Sequence, residues 1–526
     1  VVKFPLDVFS VKDIGLDRWL KYDMAWPIHD DESIRIGSRI VNEYSELIKK
    51  EPDSRLRAIL IAQNKLVLEL SGIFHSLLIL ERLSRNNYEP LYRDDTIFFP
   101  SILGKNKKIN GVFERYRNKI VPTERRGKGG RLRMALLWLY RKIVLFSKSE
   151  TTIFSLNANS NFYLDTYAKE TKKKIKFYPI DEYKKSPFIV SSTMIDIDEI
   201  RSKTINILER LGLSYQLDIP SFIIDYLNKL ITEVFLETNY QIEFYYRKLS
   251  RIKPSNFFIP SLGHIDYRSF GLAAKIAGHK VVGSSHGNSI GMFDIQLRAF
   301  IDLSIVDIFL VVTEYSAKNY RKLQKKYLNG ISETNVFSVN SDFYRELMTT
   351  HTKLKPLSEL KHVMVIEYPL TETRHNKYSF WPYQLKLMLK VGDFLKREGL
   401  STTMKRHPDR ILESDDLYLI SYDHQLTQRF EDVFEQADAF LFMNITSTTF
   451  GFAMTTNRPI FIFSVWLDEV WEEMIPLIEK RCIVIPSWID ENGSFYFDEE
   501  FFSSILKSDD LWNINYEAVD SFMIPR

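Results

Sequence analysis

The chain runs to 526 residues, too long for one ordinary domain and long enough for two large ones. Apolar residues make up 45% and charged residues 26%, the balance of a folded protein. A net charge of +3 argues against a dedicated nucleic-acid binder, whose basic excess is larger and clustered on one face. The single cysteine, Cys482, excludes an internal disulfide, fits a reducing compartment and gives no structural zinc spacing. It reads as a small buried hydrophobe in the strand-like run Cys482-Ile483-Val484-Ile485.

The chain opens Val-Val-Lys-Phe-Pro, with no basic stretch leading into an apolar one, so no signal peptide is visible. Nowhere do about 18 apolar residues run together, as a membrane-spanning helix needs. The expectation is a cytoplasmic protein, soluble or peripheral on the inner face of the cytoplasmic membrane. Residues 32–50 and 57–83 carry apolar side chains at helical spacing, so the start of the chain reads as helical. Strands are expected at 96–99 and 152–154, then a long helix over 221–249. Regular alternation follows: strand 256–260, helix 267–277, strand 280–283, strand 308–312, helix 314–325 and strand 335–339. A polar stretch at 351–359 reads as a linker. A second series then sets in, with strand 362–367, helix 382–397, strand 401–404, helix 425–436, strand 439–442, helix 449–455 and strand 459–463. Short strands alternating with longer helices predict parallel β-α-β units. The expected fold class is therefore α/β, with two Rossmann-like domains facing a cleft and a helical N-terminal elaboration. The expected domains are 1–355 and 356–526.

Ligands of open parallel sheets bind beyond the carboxyl ends of the strands, and three loops there carry chemistry. The first is Gly283-Ser284-Ser285-His286-Gly287-Asn288, where a glycine-assisted turn projects an imidazole able to take a proton from a hydroxyl. The second is Lys405-Arg406-His407-Pro408-Asp409-Arg410, where Pro408 forces a turn and basic side chains gather as an anion site. The third is Asn444-Ile445-Thr446-Ser447-Thr448-Thr449, where hydroxyls open a helix whose free N–H groups and dipole suit a phosphate.

Together these loops resemble a superfamily of bacterial GT-B glycosyltransferases. It includes sialyltransferases, Kdo and other nonulosonate transferases of capsule export systems, and teichoic-acid glycerophosphotransferases. Its members carry a His-Gly, a later His-Pro and a Ser-Ser or Ser-Thr pair opening a helix, matched here by His286-Gly287, His407-Pro408 and Ser447-Thr448-Thr449. Asn457-Arg458-Pro459-Ile460 is similar to the stretch that enters the family's next strand. The resemblance spans about residues 255–465.

It implies transfer of a nonulosonate-type sugar, Kdo or sialic-acid-like, from a CMP-sugar donor to a glycan or lipid-linked glycan of the bacterial surface. His407 would contact or protonate the leaving phosphate. Ser447, Thr448 and Thr449 would bind that phosphate, with Lys405 and Arg406 neutralising its charge. No Asp-x-Asp motif stands at a strand end, so the implied enzyme is metal-independent and needs no cofactor; the Asp415-Asp416 pair reads as a solvated turn. Two candidates for the base stay open: Asp266, in Gly263-His264-Ile265-Asp266 after a strand, and His286. A retaining enzyme would instead need a carboxylate nucleophile, with Asp266 or Glu367 as candidates. Glu367-Tyr368-Pro369 and Arg374 border the expected nucleotide site. A basic cluster running into a Trp-containing apolar stretch, over 125–148, is a candidate for peripheral membrane contact. The alternatives are a CDP-glycerol or CDP-ribitol polyol-phosphate transferase and a non-catalytic nucleotide-sugar-binding protein; a nucleic-acid partner is not expected.

Overall fold

A computed structural model describes residues 2–21, 25–91, 152–156, 161–178, 180, 197–285, 291–339, 342–354, 359–370, 380–407, 417–490 and 495–523. The expected strand at 96–99, the stretch 125–148 and the Asp415-Asp416 pair lie outside these residues.

A parallel two-stranded ribbon, β1 (Val2–Pro5) with β2 (Tyr88–Leu91), brackets the first helices. These are α1 (Val8–Ile14), α2 (Leu16–Leu20), α3 (Asp30–Lys50), α4 (Ser54–Ala62) and α5 (Asn64–Arg85). The sequence reads 57–83 as one helix, but Gln63 breaks it, with a backbone at φ −86° and ψ 44°. The first large unit then follows as β3 (Thr152–Ser155), α6 (Phe162–Glu170), β4 (Lys174–Phe177), α7 (Asp198–Tyr215), α8 (Ser221–Leu249) and β5 (Asn256–Ile259). It continues with α9 (Ile265–Ile276), β6 (Lys280–Ser284), α10 (Gln296–Leu303), β7 (Ile308–Val311), α11 (Glu314–Tyr327), β8 (Asn335–Ser338) and α12 (Phe343–His351). Its sheet is parallel throughout, in the order β4-β3-β5-β6-β7-β8.

The second unit repeats the scheme: β9 (His362–Ile366), α13 (Trp381–Arg397), β10 (Ser401–Lys405), β11 (His424–Leu426), α14 (Phe430–Val433), β12 (Ala439–Phe442) and α15 (Thr448–Met454). After it come β13 (Ile460–Phe463), α16 (Ile475–Arg481), β14 (Ile483–Ile485), a hairpin of β15 (Ser487–Ile489) with β16 (Phe495–Phe497), and α17 (Glu499–Leu506). The parallel sheet runs β11-β10-β9-β12-β13-β14. Its central strands, Val363 to Ile366, Ala439 to Phe442 and Ile460 to Phe463, are buried along their length. Helices cover both faces of such a sheet, so its strands read as continuous apolar runs. α13 carries Pro382 in its first turn, where a locked φ fits, and ends on Lys396 and Arg397 where the dipole favours cations.

Each sheet has one point where the chain reverses direction across it. In the second, β10 and β11 lie to one side of β9 and β12 to β14 to the other, so β9 and β12 flank the reversal. In the first, β3 and β5 flank it. Such reversal points leave a crevice at the carboxyl ends of the strands.

One sequence expectation is corrected and another is narrowed by one residue. The helix expected over 425–436 is β11 followed by the single turn of α14 and a 3-10 turn at Phe434–Gln436. Pairing of His424, Gln425 and Leu426 with Thr403, Met404 and Lys405 of β10 overrides the short apolar period there. The linker expected from residue 351 begins on a buried residue: His351 ends α12 with its ring between Phe434 and Phe452, centroids 5.0 and 4.9 Å away.

The units touch at several places. Trp19 stacks on Trp381 with 6.2 Å between centroids, and Trp26 N donates to Tyr383 Oη at 2.9 Å. α12 bridges them, since Phe343 at its start stacks on Phe162 at 4.7 Å while His351 at its end sits in the second unit. Beyond β6, Met292 O accepts from Trp471 N at 3.0 Å and Asp294 N donates to Glu469 O at 2.9 Å. The π-helical turn Val519–Met523 returns to the first unit, where Thr313 Oγ1 donates to Phe522 O at 2.6 Å.

Candidate functional site

The carboxyl edge of the second sheet carries two of the three sequence loops, one after β10 and one after β12, with β9 between them. Lys405 of β10, Ile366 of β9 and Phe442 of β12 lie in register across adjacent strands. The residues just past them therefore leave the sheet at one level, each strand about 4.8 Å from the next. Those residues are Arg406-His407, Glu367 and Met443-Asn444.

Glu367 organises the His407 turn. Its carboxylate accepts from His407 N at 2.6 Å, from Arg406 Nε at 3.2 Å and from Tyr418 Oη at 3.0 Å. The side chains of Glu367 and Arg406 are 0% and 1% exposed. Burial pushes the Glu367 carboxyl above the ordinary range, against the pull of Arg406, the His407 amide and Tyr418. Arg406 also bonds Gln425 Oε1 and lies over the Tyr418 ring. Lys405 is buried as well, its Nζ donating to Arg406 O at 2.7 Å, and desolvation lowers its pKa. Sequence reasoning expected Lys405, Arg406 and Glu367 to face the ligand, but all three side chains are engaged inside the turn. What they do is hold the backbone of His407, whose own side chain is half-buried at the surface of the turn.

The neighbouring loop is built by local bonds. Asn444 Oδ1 accepts from Thr446 N at 2.8 Å and from the Thr446 hydroxyl, closing a small side-chain turn. Ser447 is then the N-cap of α15, its Oγ accepting from Phe450 N at 3.2 Å. Ser447 and Thr449 are half-buried and Thr448 is exposed. The far end of α15 is tied just as firmly. The buried guanidinium of Arg481 donates to the carbonyls of Ala453, Met454, Thr456 and Arg458, and Thr455 Oγ1 meets His351 Nδ1 at 2.9 Å.

On the first sheet, Asp266 lies in the first turn of α9, directly after the loop that leaves β5. Arg268, fully buried, pins that loop by donating to Leu262 O at 2.8 Å, Ile301 O at 3.0 Å, Ile61 O at 2.6 Å and Ser304 Oγ at 2.7 Å. Asp266 is half-buried, and its pKa rises to about 6. Burial is the main cause, with Glu237 adding to it and Lys65 opposing it. A carboxylate so tuned can accept a proton near neutral pH.

Searches of protein-family models and of curated proteins give no match to this chain. The site therefore stands on its residues. His407 follows β10 and Ser447, Thr448 and Thr449 follow β12, on either side of β9, while Asp266 follows β5 at the reversal point of the first sheet. His286, Gly287, Arg374 and Pro408 lie outside the described residues. Sequence reasoning missed Tyr418, Arg268, Lys65 and Glu237. Tyr418 stands 51 positions from Glu367, and no local spacing announces such a pairing. Among the described residues no group of three or more His, Cys, Asp or Glu side chains converges as a metal site, and no helix is long and apolar enough to cross a membrane.

Proposed function

We propose that the chain is a GT-B-type glycosyltransferase that moves a nonulosonate-type sugar, Kdo or sialic-acid-like, from a CMP-activated donor to a bacterial surface glycan. The observation that carries this reading is that the His407 turn and the loop leading to the Ser447 cap leave the second sheet at one level, on either side of β9. A helix start and an imidazole on one carboxyl edge, where open α/β sheets bind ligands, suit a nucleotide phosphate. The hydrogen bonds between 292–294 and 469–471 add support, because they join segments that follow carboxyl ends of strands in both sheets.

In this reading the donor phosphate rests against the start of α15, with Ser447, Thr448 and Thr449 as donors. An acceptor hydroxyl attacks the anomeric carbon and gives its proton to Asp266. The bond from that carbon to the phosphate oxygen breaks, its electron pair stays on CMP, and His407 supplies a hydrogen bond or a proton to the leaving oxygen. Lys405, Arg406 and Glu367 act one step away, by fixing where His407 stands. The reaction itself calls for no metal, and the protein would work in the cytoplasm or on the inner membrane face.

Calorimetric titration with CMP, CDP, UDP and GDP, joined to donor hydrolysis followed by mass spectrometry, tests the reading. CMP should bind most tightly, and His407→Ala should abolish turnover while the protein stays folded. A clear UDP preference overturns the donor assignment, and near-normal turnover in the variant overturns the role of His407. Release of glycerol phosphate or ribitol phosphate from a CDP donor would mark a polyol-phosphate transferase. Tight CMP binding without any turnover would mark a binding protein.

A further inference from the structure

The hairpin of β15 and β16 has a packed face and an open one. Phe495 and Phe497 are buried in the second unit. Between ring centroids, Phe495 is 5.7 Å from Phe463 and 6.2 Å from Trp466, and Phe497 is 5.5 Å from Phe463 and 5.6 Å from Phe394. Tyr496, between the two phenylalanines, alternates to the other face, where Trp488 is its cross-strand partner. The two rings are nearly parallel, 16° apart with 6.1 Å between centroids. Trp488 is 50% exposed and Tyr496 38%. Among the described residues, Phe343 is the one other aromatic side chain exposed to that degree.

The hairpin holds this pair at the sheet edge that carries the candidate site. Ser487 N donates to Ser464 Oγ at 2.9 Å, which ties the start of β15 to the carboxyl end of β13, the neighbour of β12. Asp498 N donates to Pro486 O at 2.9 Å and closes the base of the hairpin. A cross-strand aromatic pair can steady a hairpin, but the inner phenylalanines and these bonds already fix this one. The outer rings therefore stand as a preformed surface.

Lys390 of α13 lies beside the pair, its Nζ 4.9 Å from the Tyr496 centroid and 3.5 Å from Glu499 Oε1. Glu499 also takes Arg397 at 2.8 Å, and Asp490 follows β15, so these two cations meet two carboxylates around the rings. An anionic lipid surface calls for a basic surplus beside its aromatic anchors, which this balance does not supply. A stable protein partner calls for more area: two half-exposed aromatic side chains offer about 200 Å², against about 800 Å² per side in such an interface. A sugar fits both limits. Its C–H face lies on the negative face of an aromatic ring, and its hydroxyls accept from an ammonium and donate to a carboxylate.

We propose that Trp488 and Tyr496 form a glycan-holding platform for an uncharged β-linked pyranose chain, with Lys390 and Glu499 binding hydroxyls at its rim. Pyranose rings with equatorial substituents turn C–H bonds to both faces, so a β-1,4-glucan is the matching chemical class. The platform rests on the transfer reading only for calling that chain an acceptor or a product.

Saturation-transfer NMR on the full chain, with cellohexaose as the probe, tests the platform. Cellohexaose should bind, Trp488→Ala should weaken it about tenfold, and Tyr496→Ala by less. Trp488→Phe keeps a flat ring and should retain most of the affinity. Both side chains are exposed, so the variants should melt with the parent. Absence of binding, or binding unmoved by Trp488→Ala, overturns the proposal. Sedimentation with phosphatidylglycerol vesicles covers the lipid alternative: vesicle binding that needs Trp488, without cellohexaose binding, replaces the platform by a membrane contact. CMP titration reports separately on the transfer reading. CMP binding without cellohexaose binding sinks the platform alone, whereas Trp488-dependent cellohexaose binding without CMP binding supports the platform and sinks the transfer.

Discussion

Glu367 is the residue on which the His407 turn depends, because one carboxylate joins the turn's backbone, its arginine and a tyrosine far along the chain. Glu367→Gln keeps the shape but takes a buried charge partner from Arg406. The expected loss is about 3–5 kcal/mol, read as a fall in the urea midpoint. Asp266 makes a pH prediction with two opposite signs. Its folded pKa, about 6, lies above the ordinary value, so its contribution to stability is full at low pH and lost as pH rises through 6. Its proposed use as a base needs the ionised form, so kcat/KM should climb through pH 6, and Asp266→Asn should remove that limb. His75 behaves in the opposite sense. It is fully buried between Ser33 Oγ at 2.9 Å and Ser71 O at 2.7 Å, and burial depresses its pKa to about 4. Its share of stability is complete above about pH 6.5 and is lost as pH falls toward 4, on the order of 3 kcal/mol. Denaturation midpoints at pH 7 and 4.5, compared between the parent and His75→Gln, should show a smaller acid loss in the variant.

At the scale of elements, the short helix α15 is stable only because both ends are tied. Arg481→Met would fill the space and leave several buried carbonyls without a donor, at an expected cost of about 3 kcal/mol. Ser447→Ala should cost about 1 kcal/mol by removing the cap. Denaturant titration of both variants checks that order of magnitude. The central strands were legible in the sequence because β9, β12 and β13 are buried on both faces and read as unbroken apolar runs. β11 was not, since its three residues become a strand only through pairing with β10. The carboxyl-end loops were likewise legible as places, through His-Pro and Ser-Thr-Thr. The direction of Lys405 and Arg406 was not, because the partners that bury them, Glu367 and Tyr418, come from other elements. Asp266 was readable as a candidate, but the Lys65 and Glu237 that tune it belong to helices distant in the chain.

For the whole molecule, the ties between units bear on how it unfolds. Tryptophan stacking near Trp381, the His351 seat, the pairing of 292–294 with 469–471 and the return of Phe522 join the halves at separate points. Calorimetry should therefore show the two units melting together, and Phe522→Ala should cost about 3–5 kcal/mol and begin to split the transition. One of these ties has a mechanical meaning as well. α15 is 7 residues long, about 10 Å from end to end. Its first turn carries the Ser447 cap and its last is bolted to His351, the terminus of a helix whose other end stacks on Phe162. α15 is thus a stiff peg between the spot proposed for a phosphate and the joint between the halves. Nothing but one short helix separates the two, with no loop between them to absorb strain.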